Sequence, residues 1–155
     1  MPERHLLIVA HAPSENTRLL RDAAVRGASA DTIENVQVRW VAPLEATPED
    51  VLQADGILLG TTENLGYMSG ALKDFFDRCY YPVLEKKQGL PCALYIRAGH
   101  DGTGTRRAVE TIVTGLRWTW VQDPLVLRGE WQAGFVDNVE ELGLYMAAGL
   151  EAGIF

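Results

Sequence analysis

The chain has 155 residues, of which 47% are hydrophobic, a length that suits one domain with a sizeable core and is short for two. We therefore predict a single domain over residues 1–155. The net charge of −7 disfavours binding to nucleic acid or to anionic membranes, because both need clustered Lys and Arg. The apolar stretch near the N-terminus is too short for a signal-peptide core or a membrane span, so we expect a cytoplasmic protein.

The two cysteines, Cys79 and Cys92, lie in separate apolar runs and have no metal-ligand spacing. A small thiol in such a run is typical of a buried core position. The sequence therefore predicts reduced core cysteines and no metal site.

Short apolar runs alternate with longer segments of helical period, a pattern repeated five times and typical of a parallel sheet covered on both faces. Continuous apolar runs predict interior strands at residues 6–10, 57–59 and 93–96. Residues 36–40 alternate between apolar and polar, so this second strand is expected at an edge of the sheet. Residues 125–127, after a proline, are predicted as the fifth strand.

Apolar residues at helical spacing predict four helices, with inner faces within residues 19–24, 72–83, 108–116 and 139–150. Ser69 is the expected N-cap of the second of these helices, and Asp137 is expected to open the last one. Gly27 and Gly115 are predicted helix stops. The weak period of residues 46–53 predicts a short or irregular helix.

Ligands of open α/β sheets bind beyond the carboxyl ends of the strands. The first loop that leaves such an end, residues 11–17, offers the donors Ser14, Asn16 and Thr17 at the start of a helix, where a phosphate could bind. It has neither a Walker lysine nor the three glycines of a dinucleotide fingerprint. An ordinary helix cap without a ligand is the alternative interpretation of this loop.

Two further loops are predicted at the same edge. The second loop, residues 61–70, is long for a connection between a strand and a helix, which favours a functional role. The third loop, residues 97–105, contains three glycines that would let its backbone approach a flat ligand closely. The sequence therefore predicts two walls of one site.

The donors of the first loop and the stretch GTTENLGYMSGALKDFFDR, residues 60–78, resemble the flavodoxin-like FMN proteins. That family includes NAD(P)H-dependent FMN reductases and FMN-dependent quinone reductases. The resemblance spans nearly the whole chain and implies a doubly wound, three-layer α/β sandwich, with a five-stranded parallel sheet in the order 2-1-3-4-5. It also implies FMN as the cofactor.

The resemblance implies that the first loop holds the FMN phosphate and that the other two loops line the isoalloxazine ring and the ribityl chain. The residues expected to bind the cofactor are His11, Pro13, Ser14, Glu15, Asn16, Thr17, Thr61, Thr62, Glu63, Asn64, Leu65, Gly66, Tyr67, Arg97, Ala98, Gly99, His100, Asp101, Gly102 and Thr103. Glu15 stands where many relatives have glycine. No catalytic residue is assigned, because the flavin itself does the chemistry.

Several of these side chains keep an alternative interpretation. His11 could bind the phosphate or only pack at the strand end. Arg97 could stabilise the reduced, anionic flavin and raise its redox potential, or it could form a surface salt bridge. His100 and Asp101 could deliver protons, although a polar glycine-rich loop is the favoured interpretation. Tyr67 could stack on the flavin or fill a groove between subunits.

Three functions remain open at this stage. The first is an NAD(P)H-dependent oxidoreductase that passes electrons through FMN to a quinone, a flavin or a similar small acceptor. The second is an electron carrier that docks on redox partner proteins through its acidic surface. The third is a flavin-free regulatory scaffold. A homodimer or homotetramer is permitted by apolar aromatic residues expected at the surface, namely Trp118, Trp120, Trp131, Phe135 and Phe155.

Overall fold

The computed structural model describes residues 2–155. The strands are β1 Arg4–Ala10, β2 Val36–Val41, β3 Gly56–Asn64, β4 Tyr67–Met68, β5 Pro91–Ala98, β6 Thr119–Trp120 and β7 Leu125–Arg128. The helices are α1 Glu15–Ala28, α2 Pro48–Leu52, α3 Gly70–Val83, α4 Thr103–Leu116 and α5 Gly134–Ala152. The expected alternation of strands and helices is confirmed, including the edge strand and the short second helix.

The parallel sheet has the order β2-β1-β3-β5, and both β6 and β7 pair with β5 on its outer side. With β6 and β7 counted together as the fifth strand, this is the predicted order. The fifth strand is broken because Pro124, which lacks an N–H, lies in the segment between its two pieces. The sequence prediction found only the second piece. It also missed β4, which pairs antiparallel with the end of β3.

Helices cover both faces of the sheet. Helices α1 and α5 pack on one face, around Leu6, Ile8 and Leu58, whereas α2, α3 and α4 pack on the other. Ser69 caps α3 as predicted, because its hydroxyl accepts the N–H of Leu72 at 3.2 Å. The result is a three-layer sandwich in which every interior strand is buried on both faces.

Both cysteines are buried free thiols, as predicted. Cys79 lies on the inner face of α3, and burial raises the pKa of its thiol to about 11. Cys92 lies within β5, and burial raises the pKa of its thiol far above the usual range. Both side chains therefore stay protonated near neutral pH and serve as small apolar core residues.

Two glycines that were predicted as helix stops lie inside helices instead. A Cβ on Gly27 would lie 1.9 Å from the carbonyl oxygen of Glu140, so Gly27 lets α1 approach α5 closely. A Cβ on Gly115 would lie 2.4 Å from the Tyr80 hydroxyl, so this glycine makes room between α4 and α3. Both glycines are packing positions, and the helices end one residue beyond each of them.

Two further expectations are corrected. Helix α5 begins at Gly134 rather than at Asp137, which lies in its first turn. Trp118 and Phe135 are buried, 6% and 7% exposed, and so offer no surface to a second subunit. They lie in the core because removing their large apolar surfaces from water is favourable. Within residues 2–155, no helix is long and apolar enough to cross a membrane.

Candidate functional site

Three loops meet at the carboxyl edge of the sheet, as predicted. Ala10 pairs in register with Gly60, and Gly60 pairs with Tyr95, so β1, β3 and β5 reach this edge side by side. The first loop, residues 11–17, follows β1. The second loop begins within the end of β3, and the third follows β5. Neighbouring parallel strands therefore bring the predicted site segments together.

The first loop forms a capping box at the start of α1. Thr17 donates its N–H to the Ser14 hydroxyl at 3.2 Å, and Ser14 donates its own N–H to the Thr17 hydroxyl at 2.8 Å. The two hydroxyl oxygens lie 2.8 Å apart. The N–H groups of Glu15 and Asn16 lie in the first turn, where a helix supplies no acceptor. Ser14 is thus the N-cap of α1, and the first turn of the same helix keeps N–H groups for an anion.

The second loop begins as a β-hairpin. Strand β3 continues to Asn64 and turns back into β4 through Leu65 and Gly66. Both turn residues have positive φ, 53° and 75°, as in a type I′ turn. A left-handed leucine is unfavourable by roughly 1–2 kcal/mol. This leucine is fully exposed, so a large apolar side chain is held at the tip of the hairpin without a packing partner there.

Glu63 fastens the second loop to the third. Its carboxylate accepts the N–H of His100 at 2.8 Å and the N–H of Gly102 at 2.9 Å. Two backbone donors on one carboxylate are charge-assisted hydrogen bonds, which are stronger than neutral ones. Glu63 was predicted to contact the cofactor; the structure places its carboxylate on the third loop.

The hairpin also rests on the start of α4. A Cβ on Gly104 would lie 2.1 Å from the carbonyl oxygen of Gly66, so only glycine allows this approach. The buried Thr105 donates its hydroxyl to the carbonyl oxygen of Tyr67 at 2.8 Å. Gly104 and Thr105 therefore fix the height of the hairpin above the sheet.

The opposite side of the third loop is held by β7. Arg128 donates to the carbonyl oxygen of Asp101 at 2.8 Å, and Gly129 donates its N–H to the carbonyl oxygen of Ala98 at 2.9 Å. Gly102 has a φ of 70°, and a Cβ there would lie 2.8 Å from a methyl group of Val126. The third loop is thus fixed from both sides and needs glycine at its buried turn.

Arg97 is held by backbone carbonyl oxygens and aromatic rings rather than by the surface salt bridge of the second interpretation. Its guanidinium donates to the carbonyl oxygens of Ala98 at 2.9 Å and of Leu127 at 3.1 Å. It also lies 5.1 Å from the ring centre of Phe135 and 5.8 Å from that of Trp131. Within residues 2–155 these contacts, rather than a salt bridge, hold the charge beside the strand ends.

Two polar side chains of the site, His11 and Asp101, have lowered pKa values. Burial lowers the pKa of His11, so its imidazole is neutral near pH 7. Asp101 accepts the N–H of Thr103 at 3.0 Å, which holds the pKa of that carboxyl below its usual range. His11 therefore carries no counter-charge for a phosphate, and the Asp101 carboxylate helps to start α4.

The edge of the sheet combines a helix start with open space beside two loops. The exposed side chains of Ser14 and Asn16 flank free N–H groups at a helix start, which suits a phosphate. At Gly66 and Gly99, an added Cβ would have no atom within 4 Å, so the space beside both glycines is open. Within residues 2–155, no three His, Cys, Asp or Glu side chains are placed to hold a metal ion.

Residues 13–133, which include the second and third loops and most of the first, match the family described as NADPH-dependent FMN reductase. The chain belongs to this family. The predicted flavodoxin-like FMN-binding resemblance is therefore confirmed at the level of the family.

A curated relative of this FMN reductase family member is a flavodoxin of Aquifex aeolicus (strain VF5), 31% identical over 111 residues. The match spans 72% of this chain and 59% of that flavodoxin. Among solved structures, a flavodoxin from the domain Archaea superposes with a TM-score of 0.78 at 18% identity, over 94% of this chain and 98% of that one. A WrbA-like flavodoxin from Agrobacterium tumefaciens gives a TM-score of 0.71 at 15% identity, covering 94% and 96%. Both structures share the flavodoxin-like fold.

The site of this family member includes residues that the sequence prediction did not assign to it. Arg128 and Gly129 hold the third loop, and Trp131 packs on Arg97. A signal was available, since these residues follow the carboxyl end of the predicted fifth strand. Thr105 is the last residue of the predicted third loop, but its bond to the hairpin had no sequence signal.

Proposed function

We propose that the chain is a one-domain, FMN-dependent NAD(P)H oxidoreductase that passes electrons to a small acceptor such as a quinone or a flavin. The family match over residues 13–133 carries this proposal. The three fixed loops at one sheet edge support it, because they offer a phosphate site and two open walls side by side. FMN held at this edge would supply the hydride-transfer chemistry between a nicotinamide and the acceptor.

The chain itself would bind and orient the cofactor. The start of α1, with Ser14 and Asn16, would hold the phosphate through N–H and side-chain donors. The hairpin and the third loop, fastened together by Glu63, would carry the ring. The guanidinium of Arg97 would add a fixed positive charge near the strand ends, which favours a reduced, anionic ring. Proton delivery by His100 stays a hypothesis.

Anaerobic reduction tests this function. The FMN-loaded protein is mixed with NADPH, and separately with NADH, while the flavin absorbance is followed. The proposal predicts full bleaching by at least one of the two, with turnover when a quinone is added. Bound flavin that neither nucleotide reduces would contradict the proposal.

A second candidate is an electron carrier that docks on protein partners. The net charge of −7 and the relative named a flavodoxin favour it, because an acidic surface steers association with basic partners. A carrier would ignore both nucleotides in the experiment above and would accept electrons one at a time from a chemical reductant. A cytoplasmic location stays a prediction for either function.

Glu15 offers a prediction about the phosphate site. Its carboxylate is exposed on the first turn of α1, where a bound phosphate would be repelled. We expect Glu15→Gln to tighten FMN binding about fivefold at low salt, the effect of one like-charge pair about 4 Å apart in water. The gain should shrink at high salt because exposed charges are screened.

Titration with FMN and with riboflavin, which lacks the phosphate, measures this effect. Asp31→Asn is the matched control, since Asp31 is exposed and follows the far end of α1. An equal gain for riboflavin, or a gain in the control, would show that Glu15 does not face the phosphate.

A further inference from the structure

Tyr95 is a buried residue whose phenol ring reaches from its own strand over the neighbouring strand. It lies in β5 with 2% of its surface exposed, and its ring passes over Gly60 of the neighbouring β3. A Cβ on Gly60 would lie 2.4 Å from the phenol Cζ and 2.5 Å from the hydroxyl oxygen. Gly60 therefore makes room for the ring, and the hydroxyl is carried from β5 across β3.

The Tyr95 hydroxyl has no hydrogen-bond partner among residues 2–155. Burying a hydroxyl without a partner costs free energy, and phenylalanine would fill the same space without that cost. Burial also raises the pKa of Tyr95 far above its usual value, so the group is a neutral donor. A buried donor without a partner calls for a physical explanation, and a functional role is one such explanation.

The hydroxyl lies next to the start of the first loop. Gly60, which the ring covers, pairs in register with Ala10, and its carbonyl oxygen accepts the N–H of His11 at 3.0 Å. Tyr95 belongs to the same buried cluster as Ala10 and Leu20, on the face covered by α1. The unpaired donor is thus beneath the loop and helix that would hold the FMN phosphate.

We propose that Tyr95 is a positioning residue for phosphate binding, whose hydroxyl donates to the first loop only in the FMN-bound protein. This inference rests on the proposed FMN site. The bond would tie the loop from below, and it would make FMN binding depend on a group that the cofactor itself does not touch.

Tyr95→Phe tests the inference by stability and by affinity. Without flavin, we expect the variant to melt at the same temperature as the parent or higher, since an unpaired hydroxyl has been removed. FMN should bind about fivefold to tenfold more weakly, which lies within the range for one lost hydrogen bond. Riboflavin should bind equally well to both proteins, because the effect passes through the phosphate loop.

Each other result overturns the inference. A lower melting temperature without flavin would mean that the hydroxyl is already paired in the free protein. Unchanged FMN affinity would mean a purely structural phenol, and equal losses for FMN and riboflavin would place the effect on the ring. Tyr80→Phe, half-buried on α3, is the control. Failure of the parent protein to bind FMN would instead contradict the proposed function itself.

Discussion

Replacing Gly27 by alanine is expected to lower the free energy of unfolding by about 3 kcal/mol, the upper range for an overpacked core. The added Cβ would lie 1.9 Å from the carbonyl oxygen of Glu140, which is backbone and cannot rotate away. In an open helix the same change would stabilise, because alanine is the better helix former by about 1 kcal/mol. Thermal unfolding measures the effect as a fall in melting temperature of roughly 10 °C.

Gly134→Ala is the matched control for Gly27→Ala. Gly134 opens α5, and a Cβ there would meet no atom within 4 Å. It should leave the melting temperature unchanged or raise it slightly. Equal melting temperatures for the parent and Gly27→Ala would show that α1 and α5 do not approach each other this closely.

The second large effect is expected at Glu63. Glu63→Ala removes both acceptors that hold the N–H groups of His100 and Gly102, so the third loop loses its tie to the hairpin. We expect FMN affinity to fall at least about tenfold, because each lost bond involves a charged acceptor. Glu63→Gln keeps one acceptor oxygen and should fall between the parent and the alanine variant.

Hydrogen exchange separates this mechanism from a direct contact with the cofactor. In the flavin-free protein, Glu63→Ala should speed exchange of the Gly102 amide, while amides of the first loop stay unchanged. Asp31→Asn, which also removes one carboxylate, should change neither quantity. Weaker FMN binding with an unchanged Gly102 amide would mean that Glu63 binds the cofactor rather than the loop.

The fold could be predicted because its signals are local. Apolar runs such as residues 6–10 mark strands that are buried on both faces, and the spacing of residues 72–83 marks a helix with one inner face. The break in the fifth strand could not be predicted, because Pro124 is equally acceptable at the start of a strand. The prediction of glycine helix stops was wrong for a related reason. Gly27 is required by its contact with Glu140, 113 positions further along the chain.

The sequence could predict where the candidate site lies but not the hydrogen-bond partners of its residues. Topology placed the three loops at one edge, and the family resemblance named the residues within them. The partners of those residues are tertiary: the Glu63 carboxylate could equally face a ligand until the third loop is seen beside it. The unpaired hydroxyl of Tyr95 likewise could not be predicted, because its strand has the pattern of a continuous apolar core.

Hydrogen exchange of the protein with and without FMN tests the central claim most directly, because it reports where the cofactor binds. The account predicts one FMN per chain and slower exchange in residues 11–17, 61–67 and 97–103 together, with little change at the opposite edge of the sheet. Stoichiometric binding that protects none of these three loops, or a protein that binds no FMN, would contradict it.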